Sequence, residues 1–246
     1  MKSDTLCIIP ARGGSMRIPR KNIRPFRGRP VITYAIETAR RSGCFSEIMV
    51  STDDEEIASI ARDAGAEVPF LRSKETSHGK IGTVPVIREV LGCYAERGKN
   101  FELACALYPT AVLVRPEHLS TGLQQLLENP DAVYALPVLP YTHPIQRSVR
   151  LVNGRAHMLT PEHYATMSQD LEPIYHDAGQ WFWMRTAAVL AHGPPNLGPH
   201  TVAIQISHMD AQDVDNESDW FIAEMKHLLR DHAEKGIPLP PVEALK

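Results

Sequence analysis

The chain has 246 residues, 43% hydrophobic and 22% charged, a composition that fits a folded globular protein and excludes disordered, collagenous and coiled-coil classes. Its formal charge of −3 lacks the basic excess needed to hold nucleic acid or an anionic membrane surface, so any polyanion it handles is small. No uninterrupted apolar run is long enough to span a bilayer, and no secretory signal pattern precedes the first strand-like stretch, so a cytoplasmic protein with no membrane or nucleic-acid partner is expected.

In chain order, the run 5–10 (TLCIIP) predicts a buried parallel strand that hands over to a polar, Gly-rich loop ending at Asn22. Val31, Ile32, Ala35, Ile36 and Ala39 then share a helical face, with Pro30 suited to the first turn and Gly43 to a left-handed cap. EIMVST (47–52) predicts a second strand, and Ile57, Ile60, Ala61 and Ala64 a second helix closed by Gly65. A strand over 66–70, a helix over about 83–97, the strand LACALY (103–108), a helix over about 116–128 and the strand AVYAL (132–136) continue the alternation. Such alternation specifies an α/β fold, a Rossmann-like, mostly parallel sheet with helices on both faces. From Pro137 the periodicity dissolves into prolines and histidines, and an arm or lid over 137–183 is expected as an insertion within a single domain of residues 1–246. A strand over 201–206 and a helix from about Ser218 to Lys235 complete the chain, with Phe221, Met225, Leu228, Leu229 and His232 on one face and a loosely held tail over 236–246.

The loop ARGGSMRIPRKN, from Ala11 to Asn22, follows the first strand at the carboxyl edge of the sheet, where open α/β folds bind ligands. Gly13 and Gly14 allow close approach of backbone to phosphate, and Arg12, Arg17, Arg20 and Lys21 supply four positive charges, which together suit a triphosphate. The loop fits neither G-x-x-x-x-G-K-[ST] nor G-x-G-x-x-G, which removes the main support for ATPase and dehydrogenase readings. Asp213 and Asp215 point the same way if their stretch is extended, and paired hard oxygens suit Mg²⁺ completed by water and phosphate; capping of the last helix by Asp215 or Ser218 is the competing reading. Asp53-Asp54 reads as a helix cap. Eleven histidines show no H-E-x-x-H spacing, and the four cysteines, Cys7, Cys44, Cys93 and Cys105, form no C-x-x-C pair and read as reduced thiols. The segment 168–183 (SQDLEPIYHDAGQWFW) mixes acceptors and amides with aromatics in a way that suits a polyhydroxylated substrate. Trp181, Phe182 and Trp183 supply either its apolar platform or core strand residues, and packing is expected for at least one of the two tryptophans.

Taken together, IIPARGGSMRIPRKNI (8–23), VSTDDEEIA (50–58), LYPTAVLVR (107–115), SQDLEP with YHDAGQ (168–180) and DVD (213–215) resemble the CMP-sialic acid synthetase, or acylneuraminate cytidylyltransferase, family, the SQDLEP and HDAGQ segments favouring its branch that acts on pseudaminic acid. The resemblance implies transfer of CMP from CTP to the anomeric hydroxyl of a nine-carbon acidic keto sugar, with release of pyrophosphate. It implies that the loop residues Ala11, Arg12, Gly13, Gly14 and Ser15 hold the triphosphate, that Lys21 neutralises the α-phosphate and that Asn22 contacts the nucleotide. Asp213 and Asp215 would bind Mg²⁺, and the excursion would dock on a second subunit in a homodimer. Gln169, Asp170, His176, Asp177 and Gln180 are expected around the sugar. Two positions depart from the family pattern: Met16 stands where Lys is usual and Met167 where Arg is usual. Arg17 or Arg20 is expected to replace the first cation, and Arg147, with Arg150 or Arg115 in reserve, the one that pairs with the sugar carboxylate.

Overall fold

The apolar run after Asp4 forms β1 (Thr5–Pro10), and its alternating side chains serve two cores, Cys7 and Ile9 facing one helical layer and Leu6 and Ile8 the other. The computed structural model describes residues 4–15, 17–79, 81–194 and 196–237. After β1 the chain makes a small hairpin, β2 (Pro25–Phe26) and β3 (Arg29–Pro30), then α1 (Ile32–Ser42), β4 (Glu47–Ser51) and α2 (Glu55–Asp63). A short α3 (Lys74–Ser77) precedes α4 (Thr83–Glu96), β5 (Leu103–Leu107), α5 (Pro116–Glu128) and β6 (Tyr134–Pro140). An outlying hairpin, β7 (Val149–Val152) and β8 (Arg155–Met158), is followed by β9 (Tyr175–Asp177), β10 (Trp181–Arg185), α6 (Thr186–Leu190), β11 (Thr201–Gln205) and α7 (Glu217–Lys235).

The main sheet runs β11-β6-β10-β5-β1-β4, and β9 also pairs with β6. β1 is parallel to β4 and β5, and β6 is parallel to β11, whereas β10 is antiparallel to both of its neighbours. The expected mostly parallel sheet is therefore present, with one reversed strand near its middle. Helices α1, α2 and α5 cover one face and α4 and α6 the other, as the expectation required. No helix among the described residues is long and apolar enough to cross a membrane.

Trp181 and Trp183 are both buried in β10, so neither is a sugar platform. Trp183 Nε1 donates to the Leu119 carbonyl at 2.9 Å, and Gly122 of α5 lets that helix lie on the Trp181 ring, where an added Cβ would come within 2.5 Å of ring carbon.

Several expected boundaries need correction. Residues 66–70 form no strand, only an isolated bridge between Met49 and Glu67, because Gly65 and Pro69 leave too short a run to pair. Pro30 closes β3 rather than sitting in the first turn of α1, although Gly43 does end that helix in the left-handed conformation, at φ 64°. The excursion is narrower than 137–183: β6 runs on to Pro140, Tyr175–Asp177 pairs with it, and Trp181–Arg185 lies between β5 and β6, which leaves 141–174 outside the sheet. Prolines masked the pattern there, yet Pro137 and Pro140 are accommodated within β6. The buried face of α7 is Trp220, Ala223 and His227, whereas Phe221 is 62% exposed, because the helix packs on Phe26 and Val214 and not on the sheet. Of the tail expected over 236–246, residues 238–246 lie outside the described residues.

Candidate active site

A cavity of about 690 Å³ opens at the carboxyl ends of β1 and β5, the location that open α/β sheets reserve for ligands. Arg12, Ser15, Arg17, Lys21 and Asn22 reach it from the loop after β1, and Asp213 and Asp215 from the stretch before α7. Residues separated by some two hundred positions thus meet across one opening, basic groups against a carboxylate pair.

Local packing explains how each side arrives. Asn22 is buried, and its Nδ2 donates to the Arg12 carbonyl at 2.9 Å, which closes the loop on itself. Lys21 Nζ donates to the Val214 carbonyl at 2.6 Å, so the loop is tied to the segment that carries the two aspartates. Val214 itself is buried beside Phe26, Leu113 and Trp220, and this turns Asp213 and Asp215 outward together, as alternation in an extended stretch requires. Arg24 fixes α7 beneath them by lying over the Trp220 ring at 4.6 Å and by pairing with Glu217 at 2.6 Å.

The cap of α7 is Asn216, which accepts the Asp219 N–H at 3.1 Å, while Asp219 accepts the N–H groups of Asn216 and Asp215 at 3.0 and 2.9 Å. Neither Asp215 nor Ser218 is spent as the cap. Asp215 is left to pair with Arg17 at 2.6 Å. Burial, and then the neighbouring Asp215, push the Asp213 carboxyl above the usual carboxylate range, with Lys21 opposing. Burial lowers Lys21 from the ordinary lysine value against the pull of Asp215. Two carboxylates and no His or Cys make a hard-oxygen donor set, and no cluster of three such ligands exists among the described residues. Such a pair fits Mg²⁺, which takes one or two carboxylates and fills its shell with water and phosphate oxygen.

Other sequence expectations fall elsewhere. Ala11 is fully buried, with its N–H on the Ser51 carbonyl at 2.9 Å, so it extends β1 and does not line the cavity. Gly13 and Gly14 do not line the cavity, although Arg12 and Ser15 on either side of them do; the Gly13 N–H is taken by Asp53 Oδ1 at 2.9 Å, and a Cβ on Gly13 would come within 2.7 Å of Asp54. Arg20 is no phosphate cation here, because its guanidinium is bound by Asp54 and Glu56. Asp54 also accepts the Ile57 N–H at 3.0 Å as the cap of α2, and Arg20 first, then that N–H, hold its carboxyl below the usual range. The departure at Met16 lies outside the described residues.

Among the residues expected around the sugar, Asp177 alone reaches the cavity. Its neighbour His176 turns away against the Tyr141 ring, with Nδ1 at 2.9 Å from the Asp177 carbonyl. Gln169 lines a separate cavity of about 370 Å³ at the root of the excursion, beside Tyr141, Ile145 and Leu171, and Asp170 is exposed nearby. Arg147 lies in a short turn over Ile145–Arg147 on that excursion and does not line the main cavity, Arg150 is exposed on β7, and Arg115 is engaged by Asp210 at 2.9 Å. Gln180 is buried, with its amide used by backbone.

The cavity also contains residues to which the sequence assigned no role, Tyr108 among them although it lies in the quoted segment 107–115. Arg72 is buried, donates to Ser51 Oγ at 3.0 Å and to the Ser51 carbonyl at 2.5 Å, and its burial brings it down to about 10. Tyr108, bonded to Thr83 at 3.1 Å, lies opposite. Gly82 and Thr83 bring the N-terminus of α4 to the wall, adding the positive end of a helix to the basic side. Arg72 stands in no recognisable motif, whereas Gly79 and Gly82 before a helix start were a readable signal.

A family model described as Cytidylyltransferase matches residues 6–211. The chain belongs to the cytidylyltransferase family. It is 39% identical over 186 residues to the pseudaminic acid cytidylyltransferase of Campylobacter jejuni, covering 75% of this chain and 80% of that one. It is 28% identical over 225 residues to the CMP-N,N'-diacetyllegionaminic acid synthase of Legionella pneumophila, covering 89% and 94%. Among solved structures, CMP:2-keto-3-deoxy-manno-octonic acid synthetase complexed with CTP superposes with a TM-score of 0.69 over 94% of this chain and 100% of that one. At 17% identity that likeness speaks for the cytidylyltransferase fold. The family match stops just short of Asp213 and Asp215, so these two rest on geometry.

Proposed function

We propose that the chain transfers CMP from CTP to the anomeric hydroxyl of pseudaminic acid, a nine-carbon acidic keto sugar, and releases pyrophosphate. The observation that carries the reading is the meeting of Arg12, Ser15, Arg17 and Lys21 with Asp213 and Asp215 across one cavity of a cytidylyltransferase fold. The choice of sugar rests on the likeness to the Campylobacter jejuni enzyme.

In the proposed reaction the sugar oxygen bonds to the α-phosphorus, the bond from that phosphorus to the bridging α–β oxygen breaks with its electron pair leaving on pyrophosphate, and the hydroxyl proton passes to water. Negative charge grows on the α-phosphate oxygens and on the departing pyrophosphate, so fixed cations contribute more than any covalent step. Lys21, held at the Val214 carbonyl, stands for the α-phosphate, Arg12 and Ser15 for the rest of the triphosphate, and Asn22 keeps the loop in shape. Asp213 and Asp215 would hold Mg²⁺, which when bound supplies Lewis-acid stabilisation of phosphate charge. Arg17 then exchanges its carboxylate partner for phosphate. Asp177 is the proposed sugar contact on the cavity wall.

A cytoplasmic location belongs to the proposal and is supported by four free cysteines, two of them, Cys7 and Cys105, buried side by side in adjacent strands. A homodimer built on the excursion also belongs to it. Pyrophosphate release measured over a panel of nucleotides and acidic sugars tests the whole reading. Turnover is expected with CTP and pseudaminic acid above all; a preference for legionaminic acid, sialic acid or Kdo would reassign the sugar, and binding of CTP without pyrophosphate release would remove the enzyme reading.

A further inference from the structure

Gln180 follows the bulge between β9 and β10 and is 1% exposed, so its amide meets protein rather than substrate. Nε2 donates to three backbone carbonyls, those of Ala178 at 3.1 Å, Gly179 at 3.0 Å and Gln212 at 3.1 Å. An amide nitrogen carries two protons, so one bond is shared, and three carbonyl partners decide which end of the amide is nitrogen. The Oε1 atom is buried with no partner among the described residues. An apolar side chain of similar length would avoid that desolvation, so what keeps glutamine here is the reach of its nitrogen.

Two of the three bonds stay within the bulge, but the third crosses to the carbonyl of Gln212, the residue directly before Asp213. Gly179 closes the other side of Asp213, since it has φ +63° and an added Cβ would lie 3.2 Å from Asp213 Cγ. The Gln180 carbonyl in turn accepts the Tyr108 N–H at 2.9 Å, which joins the bulge to the end of β5. Ala178 ties the same segment to β6 through its N–H on the Pro137 carbonyl at 3.0 Å, but the side-chain bond from this wall to the residue before Asp213 comes from Gln180.

We propose that Gln180 is a positioning residue that sets the place of the Asp213 carboxylate through the Gln212 carbonyl. The inference rests on the reading of Asp213 and Asp215 as metal ligands. Gln180→Leu and Gln180→Met keep most of the bulk and remove the donor, and Mn²⁺ binding followed by electron paramagnetic resonance reports on the carboxylates without turnover. Partners behind a metal ligand typically control roughly 10- to 100-fold in affinity or activity, so Mn²⁺ binding about 10-fold weaker is expected, with a fall in kcat larger than any change in the KM for CTP. Trp183→Phe, which removes a buried donor from the adjoining strand β10, is the control for lost stability and is expected to bind Mn²⁺ like the parent. Parent-like affinity in either Gln180 variant that folds overturns the proposal, and so does an equal loss in Trp183→Phe. Loss of Mn²⁺ in Asp213→Asn together with none in the Gln180 variants would remove the positioning role alone, whereas parent-like binding by Asp213→Asn would remove the metal assignment and the proposal with it.

Discussion

Asp213 is held ionisable in a place that burial and Asp215 both make unfavourable for its charge, the arrangement expected of a group kept for work rather than for stability. Asp213→Asn is expected to lower turnover by at least 100-fold while leaving the metal-free melting temperature at pH 7 unchanged or higher, read by differential scanning calorimetry beside the activity assay. For Lys21→Ala the expected signature is a drop in kcat that exceeds the rise in the KM for CTP, because a cation aimed at the α-phosphate acts mainly on charge that develops in the transition state. Arg20 differs from both, since it serves the fold through Asp54. A carboxyl with a lowered pKa adds stability that is present above its unfolded value and lost as pH falls through the folded one. Arg20→Ala should therefore cost stability at pH 7, on the order of 1 kcal/mol or less for so exposed a pair, and the difference from the parent should begin to shrink below about pH 4 and vanish only once the pH has fallen below the lowered Asp54 pKa. The loop's charges were legible in the sequence, but which of them turns inward was not: four neighbouring cations look alike until Asp54 and Glu56 claim one and Asp215 another.

Between elements, the contact of α5 with β10 depends on the absence of a side chain at Gly122. Alanine there would gain roughly 0.5–1 kcal/mol of helix propensity yet lose about 1–3 kcal/mol against the Trp181 ring. A melting temperature lower by up to about 10 °C is the expected net result for a chain of this size, measured by circular dichroism. Strands and helices with clear periodicity, such as β1, β5, α2 and α5, were readable in place from their apolar spacing. Those whose burial depends on distant partners were not. α7 presents Trp220, Ala223 and His227 to the Phe26 cluster, one position away from the face its own periodicity suggests, because a single indole and a buried histidine outweigh several half-buried aliphatics. β9 was hidden for a related reason, as three residues between a proline-rich turn and a bulge show no period at all.

At the scale of the molecule, the hairpin of β7 and β8 stands apart from the main sheet, and its Asn153-Gly154 tip has positive φ at both residues, the twist that suits a two-residue turn. Leu151 is 74% exposed and Tyr164 76%, with Leu159 also open, so the excursion carries exposed apolar side chains of the kind that associating surfaces present. With the homodimer of the proposed function, Leu151→Glu combined with Leu159→Glu should yield a monomer in light scattering at micromolar concentration, and a parent-like mass would count against that interface. The position of β10 carries a consequence for how the chain comes together in time. It is the last but one strand made, yet it lies between β5 and β6, so every pairing that joins the β6–β11 half to the β1–β4–β5 half passes through residues 181–185. During synthesis the first half can pair as soon as β5 emerges, while β6 waits with an open edge until some forty further residues have left the ribosome. Nascent chains arrested before Trp181 should accordingly be the species that chaperones hold, and those arrested well beyond Arg185 the first to resist protease across the whole sheet.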